Sequence, residues 1–288
     1  MTTFQIITDS ACDLPNQKLQ AMQIQSVSLC LNFRNQLLQD KTDDSIQELY
    51  AALRSGESAS TSAANPEDWS NAIRPALESD CDVLVLAFSS GLSTTCQSAC
   101  IAAEQLREEF PQRKIIVVDG LCASLGQGLL LHYLCKKRDA GATLEETAAW
   151  AEAHKYHLAH WFTVDDLMYL KRGGRISAVT ALVGTMLNIK PILHVDDAGH
   201  LISVSKARGR KAAIRDLAQR IAQTGTLTPE DPIYICHGDC LEDAEYLKKL
   251  VLEQYGPREV FIGYTGAVIG SHSGPGTLAI FFLAQNRN

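Results

Sequence analysis

The side chains best placed to do chemistry lie in a run of hydroxyls, Ser89-Ser90-Gly91-Leu92-Ser93-Thr94-Thr95, directly after an apolar stretch that begins at Val83. A short apolar run bounded by turn residues reads as a buried parallel strand. Thr94 with Gln97 three residues on fits the capping box that opens a helix. A strand that stops in small hydroxyl residues at a helix N-terminus offers backbone N–H groups, hydroxyl donors and the positive end of the helix dipole. That combination holds an anion. A plainer account also fits, in which Ser93 and Thr94 only cap the helix and Gly91 only makes the turn.

Other chemistries compete for the same residues. A serine hydrolase would use Ser93 as nucleophile, but the nucleophile elbow needs a glycine two residues later, where Thr95 stands. His272 and Asp119 are the residue types that complete a triad, yet nothing in the sequence brings them together. The Walker pattern is absent, and no glycine-rich fingerprint follows the first apolar run. Cys236, His237 and Cys240 supply three metal-ligand types without a fourth, so buried thiols are the better account. His272 lies in Gly270-Ser271-His272-Ser273-Gly274-Pro275-Gly276, where glycines let backbone approach a ligand closely. An imidazole there can donate to an anion, most strongly when protonated.

These residues must be positioned by regular elements. Phe4–Ile7 reads as a first strand ending in Thr8-Asp9-Ser10, and Ser26–Phe33 as a short strand or hairpin. Thr42–Ser55 has the spacing of a helix, Ser58–Ala64 is a hydroxyl-rich loop, and Asn65-Pro66 opens the next helix. Lys114–Val118 is a further strand ending at Asp119-Gly120, and Leu125–Cys135 a helix. Strand and helix alternate, which implies a parallel sheet with right-handed crossovers. Ligands sit beyond the carboxyl ends of such strands, here at Asp9-Ser10, Ser89-Ser90 and Asp119-Gly120.

A helix from Thr143 to His154 bridges to a second half. There follow a strand Leu158–Val164, a short helix Asp165–Leu170 and a helix Ser177–Leu187 that is apolar on every side, hence buried or lining something greasy. Lys190–Val195 and His200–Ser205 flank Asp196–Gly199 as a hairpin. Helices Arg210–Gln223 and Leu241–Glu253, strands Ile233–Cys236 and Glu259–Gly263, and a glycine-rich turn between apolar strands complete the chain. The expected fold class is α/β with two domains. Residues 1–157 form a Rossmann-like parallel-sheet domain, and residues 158–288 an α+β domain with a mostly antiparallel sheet. Residues 25–60 are able to pack with either.

Bulk properties agree with this size. The chain has 288 residues, 46% hydrophobic and 20% charged, ordinary for a globular protein with a substantial core. A net charge of -7 without a basic stripe argues against nucleic acid as a partner. The start, MTTFQIITDS, shows neither a charged n-region nor an apolar core, so no signal peptide is expected. No apolar run reaches the length of a membrane span. Nine scattered cysteines then fit a reducing cytoplasm.

Taken together, IITDSACDLP, AFSSGLSTTCQSA, VVDGLCASLGQGLLL, LKRGGRIS, NIKPILHVDDAGHLISVSKARGRKAA and GAVIGSHSGPGTLAIFF resemble the DegV family of fatty-acid-binding proteins, the acyl-carrying subunits of bacterial fatty-acid kinases. These segments lie in order across nearly the whole chain. The resemblance implies a two-domain fold that encloses one long-chain fatty acid between its domains. Its carboxylate would be held by Thr61, Ser93 and His272, with Ser62 and Thr94 beside them. It implies an ATP-dependent kinase partner, for which Arg208 in the basic turn Lys206–Lys211 is the candidate contact, since a guanidinium can grip an anion bidentately. A transient encounter with an acyltransferase or a membrane surface would pass the acyl group on. It implies no cofactor, no metal and no catalytic residue. The sequence departs from the family in two places. Ala63-Ala64 follows Thr61-Ser62 where Gln-Pro-Ser is usual, and Thr94-Thr95 follows the SGLS turn where Gly-Thr is usual.

Overall fold

In the computed structural model, which describes residues 4–39, 43–177, 188–257 and 259–287, the apolar runs of the first half form one parallel sheet. Its order is β2 (Ile24–Val27), β1 (Phe4–Asp9), β6 (Asp82–Ala87), β7 (Ile115–Asp119). β1 is flanked on both sides, with Ile6 opposite Ile24 and Leu84. The chain leaves β1 through α1 (Asn16–Ala21) to β2 and later returns on its other side as β6. The reversal of strand order therefore falls between β1 and β6, and the crevice lies beyond their carboxyl ends.

From Val83 onward β6 is apolar because both its faces are covered. Val83 and Val85 join the core under α3 (Pro66–Glu78) and α4 (Thr95–Glu109), while Leu84 and Leu86 join the core of α5 (Leu125–Asp139). The latter helix is buried along most of its length, its charged residues gathered in the last turn. It lies between the parallel sheet and a second one, and one core cluster runs from Phe4 and Ile6 through Leu129 and Leu130 to Phe162 and Phe281. Gly128 permits the approach: a Cβ there would fall 2.9 Å from Leu14. α6 (Leu144–His154), opened by a Thr143–Glu146 capping box, leads into the second sheet.

That sheet runs β10 (Leu201–Arg208), β9 (Ile189–Val195), β8 (Leu158–Thr163), β13 (Leu278–Leu283), β11 (Ile233–His237), β12 (Val260–Tyr264). Every neighbouring pair is antiparallel except β11 with β12. α7 (Met168–Arg172) follows β8, and α8 (Arg210–Thr224) with α9 (Leu241–Tyr255) covers one face of the sheet through Ile214, Leu217, Leu247 and Val251. α10 (Ala267–Ser273) precedes β13.

A small third sheet, β4 (Gln36–Gln39), β3 (Cys30–Phe33), β5 (Ser60–Ser62), carries α2 (Asp43–Arg54) and packs against α10. Leu31, Leu49, Tyr50 and Leu53 share a core with Ala267. The β3 strand and α2 thus lean on the second half of the molecule.

Four sequence expectations are corrected. The hydroxyl-rich loop contains strand β5, because Thr61 pairs with Leu31 on the free edge of the β3–β4 hairpin. The glycine-rich ending is the helix α10 rather than a turn between strands. Gly270 is tolerated in it because the Tyr50 hydroxyl lies where a Cβ would go, 2.3 Å away, so packing overrides helix propensity. Thr94 makes no side-chain cap to α4; Ser93 accepts the Thr95 N–H instead. The basic turn Lys206–Lys211 is in fact the end of β10, Gly209 and the start of α8. The helix expected at Ser177–Leu187 lies, beyond Ser177, outside the described residues.

Candidate functional site

Between the segments that follow β6 and β7 and the inner face of the second sheet is a cavity of about 570 Å³. Phe88 and Leu92 beyond β6, Phe162 on β8, Phe281 on β13, and Val268 and Ile269 on α10 make its walls apolar. Alternation along β8 and β13 delivers the aromatic rings to this face. The tip residues expected to form the crevice divide their roles. Asp9 accepts the Phe88 N–H at 2.7 Å, and Asp119 accepts the N–H groups of Ser90 and Leu121, so both carboxylates shape the loops. Ser89 is likewise spent, donating to the Gly199 carbonyl at 2.9 Å. Ser90 and Ser93 remain on the cavity wall.

One end of the cavity is polar. Thr61 Oγ1 on β5 and His272 Nε2 on α10 lie 2.7 Å apart. Ser93 Oγ accepts the Thr95 N–H at 3.2 Å and lies 2.8 Å from Thr95 Oγ1. With buried Thr95 donating, the Ser93 proton is free for the cavity. Arg175 donates through Nε and Nη2 to the Leu92 carbonyl at 3.2 and 3.0 Å, and through Nη1 to Gly173 O. It thereby joins the Ser93 loop to the turn after α7. Gly173 packs closely against His272, since a Cβ there would fall 2.2 Å from Nδ1. Burial pushes His272 down to about 4, and the Arg175 charge pushes the same way, so the imidazole is neutral at pH 7. The arrangement offers an anion the Ser93 hydroxyl, one guanidinium and the one proton that the Thr61–His272 pair leaves free, and beyond them an apolar chamber. Thr61, Arg175 and His272 also border a second, smaller cavity of about 230 Å³, with Ser60, Tyr169 and Arg172 across from them.

Of the residues singled out in the sequence, Thr61, Ser93, Thr94 and His272 line the main cavity. Ser62 does not: strand alternation leaves it exposed on β5 while Thr61 turns inward. Arg208 stands exposed at the end of the edge strand β10. Three lining residues were missed. Arg175, the one charged side chain among the described lining residues, lies in Lys171-Arg172-Gly173-Gly174-Arg175, where nothing local singles it out. Ser273 brings a buried hydroxyl with no described partner, and His160 a buried ring nitrogen likewise. The signal for His160 was present, since it occupies an inward position of a strand otherwise apolar on that face. Among the described residues, no group of three or more His, Cys, Asp or Glu side chains is arranged to hold a metal. No described helix is long and apolar enough to cross a membrane.

Residues 3–285 match the family described as "Uncharacterised protein, DegV family". A DegV domain-containing protein of Clostridium perfringens is 42% identical over 289 residues, covering 100% of this chain and 99% of the relative. A fatty-acid-binding DegV family protein from Thermus thermophilus superimposes with a TM-score of 0.89 at 32% identity, over 98% of this chain and 99% of its own. The Streptococcus pneumoniae fatty acid kinase B3 protein, solved with linoleic acid, gives a TM-score of 0.86 at 21% identity over 98% and 100% of the two chains, a likeness of fold.

Proposed function

The chain belongs to the DegV family, and on that premise we propose that it binds one long-chain fatty acid between its two larger sheets and presents the carboxylate to an ATP-dependent kinase, with no catalysis of its own. The observation that carries this reading is the apolar chamber with a single cationic, hydroxyl-bearing end, where Thr61, Ser93, Arg175 and His272 converge. A lone carboxylate asks for such donors and for no catalytic base. The acyl chain asks for apolar walls, and each buried methylene contributes about 0.8 kcal/mol. Thr94 stands at the rim beside Ser93. The smaller cavity beyond the Thr61–His272 pair gives a partner a route to the carboxylate, and exposed Arg208 is the proposed partner contact.

The competing reading, an acyl hydrolase using Ser93, needs a base on the serine. His272 Nε2 is engaged by Thr61, and the side-chain neighbour of the Ser93 hydroxyl is Thr95 Oγ1, which is no base. Both facts favour the carrier. Mass spectrometry of lipid extracted from protein purified out of a bacterial host tests it: one long-chain fatty acid per chain is expected. Empty protein after gentle purification, or fluorophosphonate labelling at Ser93, would overturn the reading.

A further inference from the structure

The cavity of about 230 Å³ beyond the Thr61–His272 pair has the lining of an anion site. Two guanidiniums, those of Arg172 and Arg175, border it together with the hydroxyls of Ser58, Ser60 and Thr61. Among the described residues no carboxylate does. In a chain of net charge -7 this is a local reversal of sign.

Both arginines come from one turn but are held differently. The Gly174 N–H donates to the Lys171 carbonyl and the Arg175 N–H to the Leu170 carbonyl, each at 2.9 Å, which closes the end of α7. Gly174 takes φ +71°, a conformation that glycine adopts without strain. Arg175 borders both cavities and is tied down by the Leu92 and Gly173 carbonyls. Arg172 borders the smaller cavity alone and stands exposed. Its guanidinium lies 4.5 Å from the Tyr169 ring centroid, and no described group pairs with its charge or accepts its hydrogen bonds. By contrast, the exposed Arg34 and Arg54 each hold a carboxylate. Cation–π attraction steadies the Arg172 guanidinium without consuming its N–H donors.

Charge balance points to the use of this donor set. At the carboxylate end one negative charge meets Arg175, since His272 is neutral at pH 7 and brings none. A phosphoryl group adds about -1.5 to -2 charge at pH 7 and three further acceptor oxygens. Arg172 is the cation left over for it.

We propose that Arg172 is a further residue of the kinase reaction, gripping the phosphoryl group that is transferred onto the fatty-acid carboxylate. The inference rests on the fatty-acid and kinase reading above. In the transfer, a carboxylate oxygen attacks the γ-phosphorus of the ATP that the kinase holds. A new O–P bond forms while the bond from that phosphorus to the β,γ-bridging oxygen breaks, and ADP leaves with the electron pair. No proton moves, because the carboxylate is already ionised. Charge spreads over the three remaining phosphoryl oxygens, and a planar guanidinium matches two of them. Thr61 and His272, which border both cavities, flank the point of transfer.

The test uses delipidated protein, stearic acid, and the phosphonate analogue of stearoyl phosphate in which a methylene replaces the bridging oxygen. Calorimetric titration of wild type should show the analogue bound at least as tightly as stearic acid. Arg172→Gln should weaken the analogue by about tenfold or more. Because Arg172 lies outside the main cavity, the variant should hold stearic acid within about threefold, which also shows that it is folded. Wild type that takes stearic acid and rejects the analogue, or a variant that loses both ligands equally or neither, would overturn the proposal. A second measurement needs no variant. The Arg172 Nε resonance should move when the analogue binds and stay put with stearic acid; equal behaviour with both also overturns it. If wild type binds neither ligand, the fatty-acid reading fails as well; if it binds stearic acid and Arg172 does not discriminate, only this inference does.

Discussion

Thr61 Oγ1 and His272 Nε2 lie 2.7 Å apart across 211 residues of sequence, and the bond fastens strand β5 to helix α10 at the mouth of the cavity. It also sets a pH dependence. Burial, helped by Arg175, lowers His272 to about 4 in the folded state, against about 6.5 when unfolded. Between those values the unfolded chain binds a proton that the folded one does not. Stability therefore falls as pH drops from about 6.5 towards 4. His194, lowered by burial to about 4, adds to the same slope. Urea unfolding at pH 7 and pH 4 should show His272→Gln losing about 2–3 kcal/mol less than wild type. Identical losses would mean the His272 imidazole already charges in the folded protein. A bound carboxylate favours the imidazolium, so fatty-acid-loaded protein should lose less than empty protein.

Ser93 should act on the head group alone. In the proposed complex its hydroxyl would contribute one hydrogen bond to a charged acceptor, about 1.5–3 kcal/mol, with the tail in the chamber. Ser93→Ala is expected to weaken fatty-acid binding roughly ten- to a hundredfold. The matching fatty alcohol should be far less sensitive. Equal loss for acid and alcohol in titration calorimetry would show that Ser93 serves the turn, through its bond to the Thr95 N–H, and not the ligand.

The alternation of strand and helix up to β7, the Asp196–Gly199 hairpin and the hydroxyl turn after β6 could be read from the sequence because local periodicity and turn chemistry decide them. What escaped depends on distant partners. Ser60–Ser62 becomes a strand only because the β3–β4 hairpin offers an edge. α10 is helical despite Gly270 because Tyr50, far away in sequence, fills the space a side chain would take. Arg175 is one of three cations in Lys171–Arg175, and nothing local distinguishes it. Its place in the cavity follows from the Leu92 carbonyl, which no spacing rule connects to it. Thr61 and His272 were paired through a family likeness, since nothing local to either residue points to the other.

Arg175 should behave as both an anchor and a charge. Arg175→Gln keeps some hydrogen bonding to the Leu92 carbonyl but removes the cation from the proposed head-group site. Fatty-acid affinity should fall by roughly tenfold or more. Because its positive charge helps to depress His272, the imidazole pKa should rise above about 4 in the variant. Nuclear magnetic resonance titration of the His272 ring reads this directly. An unmoved pKa with lost binding would mean that Arg175 only braces the Ser93 loop.

Arg287 should hold the two large sheets together. Its guanidinium is fully buried and donates to the carbonyls of Leu121 at 2.6 Å, Asp196 at 3.2 Å and Lys155, with Cys122 Sγ at 3.5 Å. Those acceptors belong to the exit of β7, the β9–β10 hairpin and the approach to β8. Arg287→Met retains bulk but strands several buried carbonyls, each costing about 1–3 kcal/mol. The expected loss in urea unfolding is on the order of 3–5 kcal/mol. Arg287→Lys should recover only part of it, because a single ammonium cannot reach acceptors spread around a planar fork. The same charge helps to depress His194, whose pKa should climb above about 4 in Arg287→Met. Stability within about 1 kcal/mol of wild type, together with an unchanged His194, would show that the sheets are held by the shared core around α5 alone.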